Sequence, residues 1–253
     1  MTPEIGETLD FILGGRLKFF QPRRGYRFSV DAVLLAHFAR PKPGARVLEL
    51  GAGCGVVAMI LALLREPREV VALELQPALA RQAERNRLLN GIDPMSVICG
   101  DLRARSIAGL VPESFDWVVA NPPYRATGRG RESPSASRRM ARSEYAATAV
   151  DFIRAAARYV RHGGRVAMVF TAIRSAELLA ELRAHRLEPK RIRMVHPRAG
   201  ARASTVLVEA RKGGGTEVIV EPPLILYQEP GVYSEEARGI LRRDIRHRGA
   251  PIS

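Results

Sequence analysis

The chain has 253 residues, 46% of them hydrophobic, enough for one good core in one domain or two small ones. No run is long or apolar enough to span a membrane, the acidic start Met1-Thr2-Pro3-Glu4 lacks a signal-peptide pattern, and Cys54 and Cys99 have no metal-ligand spacing. These features point to a cytoplasmic protein in a reducing compartment with no metal, and a formal net charge of +14 (pI ≈ 10.8) calls for a polyanionic partner such as nucleic acid.

In chain order, Gly14-Gly15 precede a short alternating segment at 16–20, read as a strand, and residues 21–28 read as a loop. Ser29 offers an N-cap for a helix over 30–38, which Pro41 and Pro43 end. From Ala45 strand and helix alternate. Strands are predicted at 46–50, 70–73, 96–99, 115–120 and 165–170, and helices at 56–64, 77–90, 146–161 and 175–185. Gly163-Gly164 is expected to close the third of these helices. Two last strands fall at 192–195 and 205–210. The pattern predicts an α/β fold, a Rossmann-like doubly wound sheet of seven strands, mostly parallel. The last strand, 205–210, should be antiparallel, because the link from Val195 leaves no room for a crossover helix. The segment 217–253 should add strands or cover an edge. One domain is expected: residues 1–43 in front, a core over 44–212 and an extension over 213–253.

In an open α/β sheet ligands bind beyond the C-terminal ends of the strands, and four such ends carry distinctive residues. After the first core strand comes Glu49-Leu-Gly51-Ala-Gly53-Cys-Gly55, whose glycines permit a sharp turn and close approach of a ligand. Val56 stands where a dinucleotide fingerprint has its third glycine, and Glu49 would repel a pyrophosphate and favour a cationic group. Glu74 follows the second strand, placed to accept both hydroxyls of a ribose. Asp101 follows the third, placed to accept from an adenine amino group. Leu75 and Leu102, the next residues, belong to the same set. Each acid alone is more often a helix cap or a solvated charge. Three in register at successive strand ends point to one binding site.

The fourth end is the most specific. Trp117 to Ala120 form an apolar run that stops at Asn121-Pro122-Pro123-Tyr124. A planar –NH2 on a flat ring needs two in-plane acceptors, which the Asn121 side chain and the Pro122 carbonyl can supply. It also needs a surface, which Tyr124 can supply with about 1–3 kcal/mol of stacking per base. The alternative is that Pro-Pro ends a strand and Asn121 caps a turn.

Taken together, Glu49-x-Gly51-x-Gly53-x-Gly55, Glu74, Asp101 and Asn121-Pro-Pro-Tyr124 resemble the class I S-adenosylmethionine-dependent methyltransferases, over residues 44–210. The resemblance implies S-adenosylmethionine as cofactor and a planar amine as acceptor: adenine N6, cytosine N4, guanine N2 or a glutamine amide. Further segments resemble the small bacterial tRNA adenine-N6 methyltransferases, which modify the adenine beside the anticodon of valine tRNA. These are Gly14-Gly15-Arg16-Leu17, Gln21-Pro22, the run from Gly25 to Ala32, His196-Pro197-Arg198 and Pro223-Leu-Ile-Leu-Tyr227. In that family Tyr26, Phe28 and Asp31 would belong to a lid over the cofactor; alternatively Phe28 is a core residue of a packed N-terminal helix. Glutamine methyltransferases carry a helical N-terminal domain for which 1–44 is too short, and DNA methyltransferases carry a target-recognition domain that is not visible here. An RNA-binding module that keeps the pocket without catalysis is the remaining rival.

Between Tyr124 and the next helix lies a Gly/Ser/Arg-rich stretch with Arg125, Arg129, Arg131, Arg138 and Arg139, read as a mobile phosphate-binding loop or as an insert with solvated arginines. If the last strand is antiparallel, the 196–204 link brings Arg198 and Arg202 to the same edge, completing a positive rim for tRNA.

Overall fold

The structure is a computed structural model that describes residues 2–24, 27–123 and 147–242. It opens with a hairpin of β1 (Glu7–Ile12) and β2 (Leu17–Pro22), then α1 (Val30–Phe38). The core follows as β3 (Arg46–Leu50), α2 (Val56–Arg65), β4 (Glu69–Glu74), α3 (Pro77–Leu89), β5 (Met95–Cys99) and β6 (Phe115–Ala120). After α4 (Ala149–Tyr159) come β7 (Val160–Thr171), α5 (Ser175–Ala184), β8 (Leu187–His196) and β9 (Thr205–Lys212). The extension holds β10 (Ile219–Val220), β11 (Leu224–Ile225), the hairpin β12 (Tyr227–Glu229) with β13 (Val232–Tyr233), and α6 (Glu235–Arg242).

The strand order is β5-β4-β3-β6-β7-β9-β8, all parallel except β9, which runs antiparallel between β7 and β8. The seven expected strands and the reversal of the last one are therefore present. Beyond those seven, the extension adds strands, one of the two roles expected for it: β10 and β11 both pair with β8 in parallel, making nine strands. These two are short because Pro222 and Pro223 sit between them and donate nothing to a ladder.

Alternation explains why the sheet is covered on both faces. In β6, Trp117 and Val119 join one apolar cluster with α1 and α2, while Val118 and Ala120 join the other with α4 and α5. The N-terminal hairpin is held by two amides four residues apart, one on α3 and one at its C-cap. Asn86 exchanges hydrogen bonds with the Phe20 backbone (N–H to Oδ1 2.7 Å, Nδ2–H to C=O 3.3 Å), and Asn90 does the same at Lys18 (2.8 and 2.7 Å). Each amide pairs with β2 as a neighbouring strand would, a docking signal that hydrophobic periodicity does not carry.

Two expectations change. The segment up to Phe28 is not all loop, because β2 runs to Pro22 and has a partner in β1. The helix expected to run to Arg161 ends at Tyr159, and Gly163-Gly164 lie inside β7. Gly163 has φ +71°, and a Cβ on Gly164 would meet the Asp116 carbonyl at 3.0 Å and Val160 Cγ2 at 2.7 Å. The glycines admit a close, irregular crossing of β7 over β6 rather than a helix cap. No helix among the described residues is long and apolar enough to cross a membrane. The expected roles of Tyr26, Tyr124, Arg125, Arg129, Arg131, Arg138 and Arg139 fall outside the described residues.

Candidate cofactor and base-binding site

A cavity of about 510 Å³ opens at the C-terminal ends of β3 to β6, within the size range of small-molecule sites. Of the residues expected to hold a cofactor, Asp31, Gly51, Gly53, Glu74, Leu75, Asp101, Leu102 and Asn121 line it, together with Pro122 of the tip expected to hold an amine. Glu49, Gly55 and Phe28 do not.

The turn after β3 is built on positive φ: Gly51 at +67°, Gly53 at +58° and Gly55 at +84°. A Cβ on Gly51 would lie 2.9 Å from the Phe152 ring, so that position is closed to any larger residue. Gly55 is the N-cap of α2 and packs on Met95, Met59 and Ala83, a structural role away from the cavity.

Glu49 is buried under that turn, and its Oε2 accepts the Ala58 N–H at 2.8 Å, in the first turn of α2. Burial pushes its carboxyl up to about 8, with the charge of Glu74 adding to the shift. The consequence is selective. In a dinucleotide-binding fold the pyrophosphate sits on this helix N-terminus. Here the Glu49 carboxyl group of the protein already occupies it. Cys54, beside these acids, is driven up to about 12, first by its burial and then by the Glu49 charge, so its thiol is inert.

Glu74, 5% exposed, is held by backbone alone. Gly53 N–H donates to Oε2 and Gln76 N–H to Oε1, both at 2.8 Å. Each oxygen thus keeps a lone pair, and the carboxylate is fixed in orientation at the cavity wall. Two free acceptors at one carboxylate match a vicinal diol. Asp101 is engaged differently: Arg103 grips it with Nη2 at 2.7 Å and Nε at 3.0 Å, and this contact holds its carboxyl below the usual range. Leu75 and Leu102 bring aliphatic surface to the same wall.

The opposite wall comes from the chain leading into α1. Arg27 lines the cavity but is spent on Asp10 (2.5 Å), the Thr8 hydroxyl (3.0 Å) and the Pro22 carbonyl (3.1 Å). Gln21, buried, accepts the Phe28 N–H and donates to Asp10, tying this wall to the hairpin. Phe28 turns inward, edge-on to Phe19 at 5.4 Å, so of the two readings of this residue the core one describes its placement. Asp31 accepts from the Ser29 and Thr205 hydroxyls (3.4 and 3.5 Å).

Asn121 is half-buried and Pro122 buried where β6 leaves the sheet, facing the cavity. Arg198 and Arg202 are exposed on the link between β8 and β9, at the same sheet edge. The sequence reading missed Arg27, Ser29, Gln76 and Phe152. Phe152 has the periodicity of an ordinary core residue on α4, and Gln76 acts through its backbone, so neither carries a side-chain signal. Arg27 lay inside the segment read as a lid, where its charge in an otherwise acidic cavity was the available clue.

The donor set fits a nucleoside bearing a cation. Acceptors at Glu74 and Asp101 suit a ribose and an amino group. Asp31 adds negative charge, and Glu49 plugs the helix end where an anion would sit.

The family model described as "Methyltransferase small domain" matches residues 29–185. A protein of Aeromonas hydrophila named tRNA1(Val) (adenine(37)-N6)-methyltransferase is 27% identical over 215 residues, covering 84% of this chain and 87% of the relative. A protein of the same name from Porphyromonas gingivalis is 27% identical over 219 residues, covering 83% and 85%. Among solved structures, a protein of Agrobacterium tumefaciens described as a predicted O-methyltransferase superposes with a TM-score of 0.67 at 26% identity, covering 83% of this chain and 94% of that one. A geranyl diphosphate methyltransferase in complex with SAM shares the fold at a TM-score of 0.52 and 16% identity, covering 72% and 84%.

Proposed function

Because the chain belongs to the methyltransferase small-domain family, we propose that it transfers the methyl group of S-adenosylmethionine to N6 of an adenine in tRNA, beside the anticodon of valine tRNA. The observation that carries the cofactor half is the pair of acidic side chains at the glycine turn. Glu49 blocks a pyrophosphate, and Glu74 keeps two acceptors free for a ribose. The substrate half rests on Asn121 and Pro122 at the cavity's rim, on the relatives' names and on the net charge of +14.

Bound in the cavity, S-adenosylmethionine supplies an electrophilic methyl on a sulfonium. The chain supplies position. The Asn121 side-chain oxygen and the Pro122 carbonyl accept the two N6 protons, which draws the nitrogen lone pair out of the ring and aims it at the methyl. N6 then forms the new N–C bond, the S–C electron pair stays on sulfur, and N6 releases one proton to solvent. A hydroxyl acceptor offers only one proton, so the two-acceptor tip favours an amine over an O-methylation substrate. The base must leave its stack to reach the tip, and Tyr124 would receive its face. Holding the two reactants in line supplies most of the rate. In this reading the protein works in the cytoplasm, on a tRNA whose phosphates meet Arg198, Arg202 and the arginines of residues 125–142.

The direct test is mass spectrometry of nucleosides from tRNA incubated with protein and labelled cofactor. N6-methyladenosine is the expected product; N2-methylguanosine, or label on protein alone, would overturn the reading. Asn121→Ala should lower turnover by about a hundredfold or more while cofactor binding survives, the cost of one preorganised polar group.

A further inference from the structure

An exposed aliphatic side chain taken alone says little about function. Ile173 differs by where it stands and how it is held. The last β6–β7 pair is Ala120 with Met168, yet β7 continues to Thr171, three residues beyond, where it pairs with Thr205 of β9. Over those positions the chain of β6 has left the ladder as Asn121-Pro122-Pro123. β7 therefore projects roughly 10 Å past the last β6 pair at about 3.3 Å per residue. The turn Ala172–Arg174 sits on that projection, at the reactive edge.

The turn is rigidly placed. Ala172 N–H donates to the Ser204 carbonyl at 3.0 Å, which ties it to the link bearing Arg198 and Arg202. Ser175 N–H closes it onto Ala172. Arg174 is drawn back to Glu177, with its guanidinium 5.2 Å from the Phe170 ring centroid. Ile173 is left at 91% exposure, with the amine-holding tip on one side and two exposed arginines on the other. Of other apolar side chains more than half exposed among the described residues, Phe11 and Ile219 lie on strands that do not pair with β6, and Val111 precedes β6 at the N-terminal end of the strand, away from the tip.

We propose that Ile173 is a positioning residue that enters the RNA base stack and fills the gap left when the target adenine turns out towards Asn121. This rests on the adenine-N6 reading of the site. The chemistry is general: an apolar wedge between base steps offsets part of the lost stacking and keeps the extruded base from returning. The ends of the wedge would be set by Arg198 and Arg202 on flanking phosphates.

The test uses tRNA carrying 2-aminopurine, which fluoresces on unstacking, in place of the target adenine, with Ile173→Ser and Ile173→Leu compared to wild type. Wild type and Ile173→Leu should raise the fluorescence on binding. Ile173→Ser should bind within about threefold yet lose that rise, and its kcat/KM on normal tRNA should fall by about tenfold or more. On tRNA with abasic residues flanking the target, where no stack needs opening, Ile173→Ser should return to within about threefold of wild type. Unchanged fluorescence and turnover in Ile173→Ser, or a loss that persists on the abasic substrate, overturns the wedge. A wild type that unstacks the base without methylating N6 overturns the reaction class and not the wedge. One that does neither overturns both.

Discussion

Two groups of buried acids lie in this molecule, and they are satisfied in opposite ways. At the reactive edge, Glu49 and Glu74 take backbone N–H groups and no cation among the described residues. Further along the same sheet face, Glu209 on β9 takes the Arg191 guanidinium through Nη2 (2.6 Å) and Nε (3.1 Å), and Arg165 as well. Arg191 also binds Glu221 of the extension (3.1 Å) and the Phe38 carbonyl (2.6 Å), with its guanidinium 4.0 Å from the Phe38 ring centroid. Four of its five N–H donors are used. The difference separates holding from binding. Where every acceptor meets a cation the acid fastens elements together; where acceptors are left over, as at Glu74, the acid is able to face a cavity.

The largest effect should come from breaking the saturated group. Arg191→Met leaves the buried Glu209 carboxylate with Arg165 alone and strands the Phe38 carbonyl, and should destabilise by about 3 kcal/mol or more in thermal or denaturant unfolding. Cofactor affinity, measured well below the transition, should not move. Equal losses of stability and affinity would erase the distinction between the two groups.

Glu49 offers the next effect, through pH. Its carboxyl rises from 4.5 to about 8 in the folded protein. Between those values the unfolded chain has lost the proton and the native state retains it, so stability falls as pH rises, by several kcal/mol at most. Glu49→Gln keeps an acceptor for Ala58 N–H and removes the titration. It should flatten the stability profile between about pH 5 and 8 relative to wild type. Parallel profiles would mean that Glu49 titrates normally and that the helix end is not sealed by a buried acid.

Glu74→Ala should weaken S-adenosylmethionine by about 1–3 kcal/mol, since two ribose hydroxyls lose their acceptors. Calorimetry showing unchanged affinity would remove Glu74 from the site.

The reactive edge was legible because its chemistry sits at strand ends, which apolar runs mark clearly. Glu74, Asp101 and Asn121 each follow such a run, and all three line the cavity. Glu49 carried the same type of signal but points beneath the turn; no spacing rule distinguishes a strand-end acid facing a ligand from one facing a helix N-terminus. The Arg191 group was invisible for another reason. Arg191, Glu209 and Glu221 are far apart in sequence and meet only because β9 reverses between β7 and β8 and the extension returns along β8. Asn86 and Asn90 show the same limit, since a polar pair on a helix reads as solvated until β2 is laid beside it.

Asp101 stands between the two groups and gives the finest test of the contrast. It lines the cavity as Glu74 does, yet it is gripped by a guanidinium as Glu209 is. If saturation by an arginine means holding, Asp101 should matter little to the ligand. If facing the cavity means binding, Arg103 is only a tether. Arg103 is about one-third exposed, so its pair with Asp101 is screened and contributes at most about 1 kcal/mol. Arg103→Ala should therefore leave cofactor affinity within about fivefold of wild type, shifted towards tighter binding as both Asp101 oxygens become free. The Asp101 carboxyl should at the same time return upward towards its ordinary range, because Arg103 is the cause of its lowering. Asp101→Ala should weaken binding where Arg103→Ala does not. A tenfold loss in Arg103→Ala would instead mean that the guanidinium sets the carboxylate's orientation, and that an arginine-bound acid can belong to the binding group after all.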